Sequence, residues 1–165
     1  TVVANPVANM KLAVGGVFPY PAAREAGVAV GLGTDGAGSN DSLDLLADLK
    51  VFALAQRHVT GDATVLPAAE AWSIATGASS ALLGEGTAPL EPGAAADFLL
   101  LRADAPELGL GDIHSDLVYA ASGSVVETTV VGGRVLMRGG EVEGAADILA
   151  RAAERARRLG IGADA

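Results

Sequence analysis

Val30-Gly31-Leu32-Gly33-Thr34-Asp35-Gly36-Ala37-Gly38-Ser39-Asn40-Asp41 is the stretch that decides the fold. Together with Val28 and Ala29, the run up to Leu32 is continuously apolar, the pattern of a parallel strand covered on both faces. It delivers one acid, Asp35, into a glycine-rich turn, where flanking glycines let the backbone bend sharply and approach a ligand closely. A carboxylate at a strand end is placed to bind a metal or move a proton. The same residue type also closes strand–Asp–Gly turns and caps helices. Gly33, Gly36 and Gly38 evoke a phosphate loop, but the Gly-Lys-Ser/Thr ending and the dinucleotide spacing are both absent, which discounts that reading.

Working outward, Thr1 to Val3 reads as a strand broken by Asn5-Pro6. A loop with little charge is expected from there through Gly15-Gly16 to Pro19 and Pro21. Ala22 to Ala26 reads as a short helix stopped by Gly27, and Val28 to Leu32 as the buried strand. Asn40 or Ser42 can cap the next helix, over 43–58, with Leu43, Leu46, Leu49 and Ala53 as its buried stripe. Pro67 opens a helix to Thr76, and Ser79 to Leu83 forms another. Strand, helix, strand, helix is the grammar of a parallel α/β fold. After Gly86 the character changes. Ala96 to Leu101 is a short strand, and Ser124–Val131 and Arg134–Met137 are joined by Gly132-Gly133, a hairpin signal. Residues 145–159 read as an amphipathic helix with Arg151, Arg155, Arg157 and Arg158 toward its C-terminal end, where cations favour the dipole. The expected division is 1–86, 87–144 and 145–165.

Composition narrows the function classes. Half of the 165 residues are hydrophobic but only 4% aromatic, so the core must be aliphatic and alanine-rich. A net charge of −9 argues against nucleic acid as a partner. No apolar run reaches the roughly 18 residues of a membrane span, and no signal-peptide pattern opens the sequence, so cytoplasm is the expected location. The absence of cysteine excludes disulfides and thiolate metal sites. Thr1 falls inside a strand pattern, so further sequence is expected upstream of it.

Two separated segments carry a resemblance. Asn5-Pro6-Val7-Ala8-Asn9-Met10-Lys11-Leu12 with Gly31-Leu32-Gly33-Thr34-Asp35-Gly36, and then Pro92-Gly93, Ala96-Asp97-Phe98-Leu99-Leu100-Leu101 and Val130-Val131-Gly132-Gly133-Arg134-Val135, resemble the metal-dependent amidohydrolase superfamily. Within it they are similar to the branch of methylthioadenosine/S-adenosylhomocysteine deaminases, chlorohydrolases and guanine deaminases. The resemblance implies an α/β fold: the C-terminal portion of a (β/α)8 barrel, with Thr1–Val3 as seventh strand and Val28–Leu32 as eighth, followed by a small β-domain segment and a terminal helix. A whole barrel of this kind takes about 250 residues.

In that family the aspartate after the eighth strand, here Asp35, is both metal ligand and proton shuttle; the metal is a divalent ion, usually zinc. Such a metal lowers the pKa of bound water from 15.7 to about 7, and a neighbouring carboxylate accepts the proton and passes it to leaving ammonia. The family's first-strand His-x-His pair and its fifth- and sixth-strand histidines have no counterpart here, where the histidines are His58 and His114. His58 reads as a surface residue at a helix end and His114 as a loop residue, neither a ligand. Asn9, on a loop that faces substrate in relatives, and Asn40 are the substrate-binding candidates, each set against a role in capping backbone groups. Ala4 and Ala8 stand where the family often has His and Ser, so the usual polar contacts of that loop do not transfer. Lys11 reads as solvated.

The implied function is part of a hydrolytic deaminase of an amino-purine nucleoside or related heterocyclic amine: water adds to the ring carbon bearing the amine and ammonia leaves. The alternatives are a chlorohydrolase or cyclic-amide hydrolase of the same superfamily, or a non-catalytic remnant serving as scaffold or assembly partner. The other expected partner is the N-terminal part of the same protein, with barrel strands from a separate chain or a second copy as further options. By itself this stretch is expected to be inactive.

Overall fold

β1 (Val2–Ala4) and β2 (Val30–Leu32) lie side by side in parallel, with Val2 opposite Val30, Val3 opposite Gly31 and Ala4 opposite Leu32. This is the centre of the first half in the computed structural model, which describes residues 1–76, 90–109 and 111–161. All three residues of β2 are buried, as an apolar parallel strand predicts, but the strand is shorter than the expected Val28–Leu32: Val28 and Ala29 precede it and are exposed.

The connection from β1 to β2 departs from the expected loop. Pro6–Lys11 forms a helix, α1, with Pro6 in its first turn and Pro6 and Ala8 buried. Asn5-Pro6 does end the strand, but a proline at a helix start gives up only an N–H that has no intrahelical partner, and its fixed φ suits the turn. Asn9 therefore sits on a helix. The second helix, α2 (Tyr20–Glu25), starts two residues earlier than expected; Gly27 then takes φ +67, the left-handed conformation that reverses the chain into β2.

After β2 come a single helical turn, α3 (Ala37–Asn40), and the long α4 (Leu45–Thr60), which stops at Gly61 with φ +65. Neither Asn40 nor Ser42 caps α4. The N-cap is Asp44, whose Oδ1 accepts from the Leu46 and Ala47 N–H groups at 3.0 and 3.4 Å. Asn40 is turned inward instead. The buried side of α4 carries Leu49, Phe52 and Ala53, while Leu43 lies outside the helix and is exposed. α5 (Ala68–Thr76) closes over this stripe, burying Ala71 and Ile74. Phe52 meets the Tyr20 ring edge-on at 5.7 Å. Each large side chain sealed in this core contributes about 1.5–3 kcal/mol. The expected helix over Ser79–Leu83 and the boundary near residue 86 lie outside the described residues.

The second half is an antiparallel meander: β3 (Phe98–Leu101), β4 (Val126–Val131), β5 (Arg134–Arg138) and β6 (Glu141–Val142), paired in that order. Gly132 and Gly133 have φ +56 and +74, and a tight hairpin turn whose two central residues are both left-handed calls for this pair. Between β3 and β4, α6 (Ile113–Ser115) runs into a π-helical turn, Asp116–Ala120, so His114 lies on a helix rather than in a loop. Ala105, Leu117, Ala121 and Val125 form a second core, reached from the first half by Leu46 and Trp72. Last comes α7 (Ala145–Arg158), which buries none of its residues; Arg151 and Arg158 pair with Asp147 and Glu154 one turn earlier. Among the described residues no helix is long and apolar enough to cross a membrane.

Candidate functional site

The site grows out of the end of β2. Gly33 passes so close to the end of β1 that a Cβ there would lie 2.5 Å from Asn5 Oδ1 and 3.1 Å from Val3 Cγ1. The chain then kinks at Asp35, which has φ +61. Aspartate is among the few residues with a side chain that tolerate this left-handed conformation, and such backbone outliers gather at functional sites.

Asp35 is exposed at the tip of the turn. Its Oδ1 accepts from the Gly36 N–H at 2.7 Å, and this bond, followed by the Ser39 hydroxyl, holds the carboxyl below the ordinary aspartate range. Hydrogen bonds of this kind favour the charged form. Asp35 is thus an ionised, solvent-facing carboxylate on a constrained turn. The Thr34 hydroxyl donates to the Asp35 carbonyl at 2.9 Å, further pinning the turn.

Asn40 is buried behind that turn rather than open to it. Its Nδ2 donates to the Thr34 carbonyl at 2.8 Å and to Asp48 Oδ2 at 2.9 Å. Asn9 is exposed on α1 and lines a small cavity of about 60 Å³ with Ala4, Pro6, Phe18, Phe52 and Gln56 among its walls; neither Asp35 nor Asn40 lines it. Gln56, fully buried, fixes the rim of this cavity by donating to the Phe18 carbonyl and accepting from the Tyr20 N–H. The three candidate residues are therefore not gathered in one pocket. Lys11 is paired rather than merely solvated: its Nζ lies 2.5 Å from Asp41 Oδ2.

Two acids that the sequence does not single out, Asp44 and Asp48, hold the surroundings of the turn. Asp44 caps α4, and its Oδ2 also accepts from the Gly123 N–H at 2.8 Å, joining the two halves. Asp48 is fully buried, holding Asn40 and the Val7 N–H at 3.3 Å. The available signal was positional: Asp48 and Gln56 flank Phe52 at four-residue steps, on the stripe that α4 buries.

Asp35 does not make a metal site with its neighbours. Among the described residues no three His, Cys, Asp or Glu side chains come together as ligands. His58 is exposed in the last turn of α4, and His114 Nδ1 lies 3.6 Å from Asp112 Oδ1. The residues present offer one carboxylate donor, which does not fit a complete metal centre.

Comparison with known proteins gives concordant findings. The model of the amidohydrolase family matches residues 1–136. A 5'-deoxyadenosine deaminase of Methanoregula boonei is 46% identical over 156 residues, covering 94% of this chain and 35% of the relative. A 5-methylthioadenosine/S-adenosylhomocysteine deaminase of Moorella thermoacetica is 44% identical over 141 residues, covering 84% of this chain and 33% of the relative. An adenosine deaminase from Xanthomonas campestris, solved with bound zinc, superposes with a TM-score of 0.86 at 32% identity, over 95% of this chain and 36% of that one. The chain thus spans about a third of the length of the relatives it matches.

Proposed function

The chain belongs to the amidohydrolase family, and from that premise we propose that it forms the C-terminal third of a metal-dependent hydrolytic deaminase acting on a 5'-modified adenosine or a similar amino-purine nucleoside. The observation that carries the reading is Asp35: an exposed, ionised carboxylate held in a left-handed turn at the C-terminal end of a buried parallel strand. In α/β barrels that end of the strands is where catalytic residues are mounted. The deaminase names of the relatives at 44–46% identity support the reaction class.

In this reading β1 and β2 are the seventh and eighth barrel strands, residues 1–86 complete the barrel, 87–144 belong to a small β-domain, and 145–165 form the terminal helix. Val2 and Val3 of β1 are 39% and 46% exposed, an apolar strand that further barrel strands would cover. The histidine ligands and the rest of the active centre come from elsewhere in the enzyme, since this chain's residues supply one donor. A bound divalent metal makes water a nucleophile at neutral pH. Asp35 is suited to take a proton from the attacking water and return it to the departing amine, so that C–NH2 becomes C=O and ammonia leaves. The hydrogen bonds that lower its pKa keep the carboxylate ionised.

The test is ammonia release from 5'-deoxyadenosine, 5'-methylthioadenosine and adenosine by the whole metal-loaded enzyme, with Asp35→Asn alongside. Turnover of at least one nucleoside, lost by about 10³-fold or more in the variant, is expected from removal of a proton-transfer group. Full activity in Asp35→Asn, or no release from any purine nucleoside, overturns the proposal. The 165-residue chain by itself is expected to release none.

A further inference from the structure

We propose that Asp48 is a positioning residue for the catalytic turn, a role that rests on the deaminase reading above. Its side chain leaves the first turn of α4 and has no exposure to solvent. One oxygen accepts from the Val7 N–H, in the first turn of α1, at 3.3 Å; the other accepts from Asn40 Nδ2 at 2.9 Å. The same Nδ2 donates to the carbonyl of Thr34, the residue that precedes Asp35. One buried acid therefore grips both segments that leave the ends of β1 and β2.

The chemistry fixes the orientation of this relay. The Thr34 carbonyl can only accept, so it must face the amide nitrogen of Asn40. Both Asn40 protons are then committed, one to Thr34 and one to Asp48, and Asn40 Oδ1 is left buried without a partner. The carboxylate at 48 satisfies two donors at once, one on each oxygen. On the outer side, Lys11 and Asp41 tie the end of α1 to the end of α3, so the Asp35 turn is spanned from within and from without.

Asp48→Asn keeps the shape but turns an N–H toward either Asn40 Nδ2 or the Val7 N–H, donor against donor. In the whole enzyme, kcat is expected to fall about 10–100-fold with KM changed less than about threefold, the loss seen when groups behind an active residue are removed. Amide exchange should rise together in residues 33–40 and 6–11, two segments far apart in sequence. The reciprocal variant, Asn40→Asp with Asp48→Asn, restores a bond between the two side chains but leaves the Thr34 carbonyl without its donor. Its Tm should recover in part, because a carboxylate oxygen now faces the Thr34 carbonyl, while kcat does not.

Unchanged kcat in folded Asp48→Asn enzyme, or recovery of kcat together with Tm in the double variant, overturns the inference by making the pair a stabilising contact alone. Should Asp48→Asn fail to fold, Asn40→Ala carries the same test: it keeps the Val7 bond and cuts the link to Thr34, so the same fall in kcat is expected and an unchanged value overturns the inference. Asp35→Asn separates the two levels. If that variant is active, the deaminase role of Asp35 falls; if it is dead while Asp48→Asn turns over normally, only the positioning role falls.

Discussion

Asp44 and Gly123 are 79 positions apart, yet one hydrogen bond of 2.8 Å joins the carboxylate to the backbone N–H. The same carboxylate caps α4 through Leu46 and Ala47. A Cβ at Gly123 would sit 3.4 Å from the Asp44 carboxyl, at the near limit of ordinary contact, so the two residues pack closely as a pair. One side chain thus starts the long helix and fastens the β-meander half to it.

Removing that side chain should therefore cost more than a cap. An N-cap aspartate replaced by alanine loses about 1 kcal/mol, and the cross-link to Gly123 adds about 0.5–1.5 kcal/mol. Asp44→Ala is expected to lower stability by about 2 kcal/mol, a Tm drop of about 4–8 °C for a chain of this size. Asp44→Asn keeps one acceptor and should lose about half as much. Thermal melts decide it, and a Tm for Asp44→Ala within a degree of the parent would rule the dual role out.

Gly33 is the tightest point beside the site. Gly33→Ala places a methyl 2.5 Å from Asn5 Oδ1 and 3.1 Å from Val3 Cγ1, so the Asn5 side chain must swing away. Overpacking of this kind costs about 1–3 kcal/mol. Asn5→Ala in the same chain should recover most of the loss, with the 3.1 Å contact to Val3 leaving a remainder. A denaturant-unfolding double-mutant cycle measures the coupling; additive losses would show that the clash is relieved some other way.

The β2 strand and the Asp35 turn were legible because an unbroken apolar run punctuated by glycine has few other folds. The Gly132-Gly133 hairpin was legible for the same reason: two adjacent left-handed residues leave little choice. α1 was not, because Asn5-Pro6 and Gly15-Gly16 read as loop punctuation, although proline is equally at home in the first turn of a helix. The cap of α4 was misplaced because Asn40, Ser42 and Asp44 are all good caps, and only the Thr34 carbonyl and Asp48, distant or buried partners, draw Asn40 inward. Asp48 itself was invisible because a buried acid and a solvated one are the same letter, and only its place on the buried stripe differs.

The Asp35 turn has a pH signature. The Gly36 N–H and then the Ser39 hydroxyl lower its pKa, so the folded value lies below the unfolded one. Any stability from these bonds is then fully present above the ordinary aspartate pKa and is lost as pH falls through the depressed folded value. A carboxyl-carbon NMR titration of the metal-free chain should place the Asp35 midpoint below that of a model aspartate. Ser39→Ala should move it upward. A midpoint at or above the model value would mean that the turn does not hold the charge.

Backbone and chemistry at Asp35 make opposite demands, and substitution can separate them. At φ +61 the turn favours residues that accept a left-handed conformation: Gly readily, Asn and Asp with little strain, Ala at a cost of about 1–2 kcal/mol, and β-branched Val at more. Stability should therefore order as Asn and Gly close to the parent, then Ala, then Val. The proton-accepting role depends on the carboxylate alone, so all four variants should lose deaminase turnover, the fully stable Asn and Gly forms included. Melting curves and ammonia-release assays on the same preparations read the two properties side by side. If turnover instead tracked stability, with Asp35→Asn nearly as active as the parent, Asp35 would be a turn residue and the catalytic assignment would be lost. If Asp35→Ala were as stable as Asp35→Gly, the left-handed backbone would not be a constraint on this position at all.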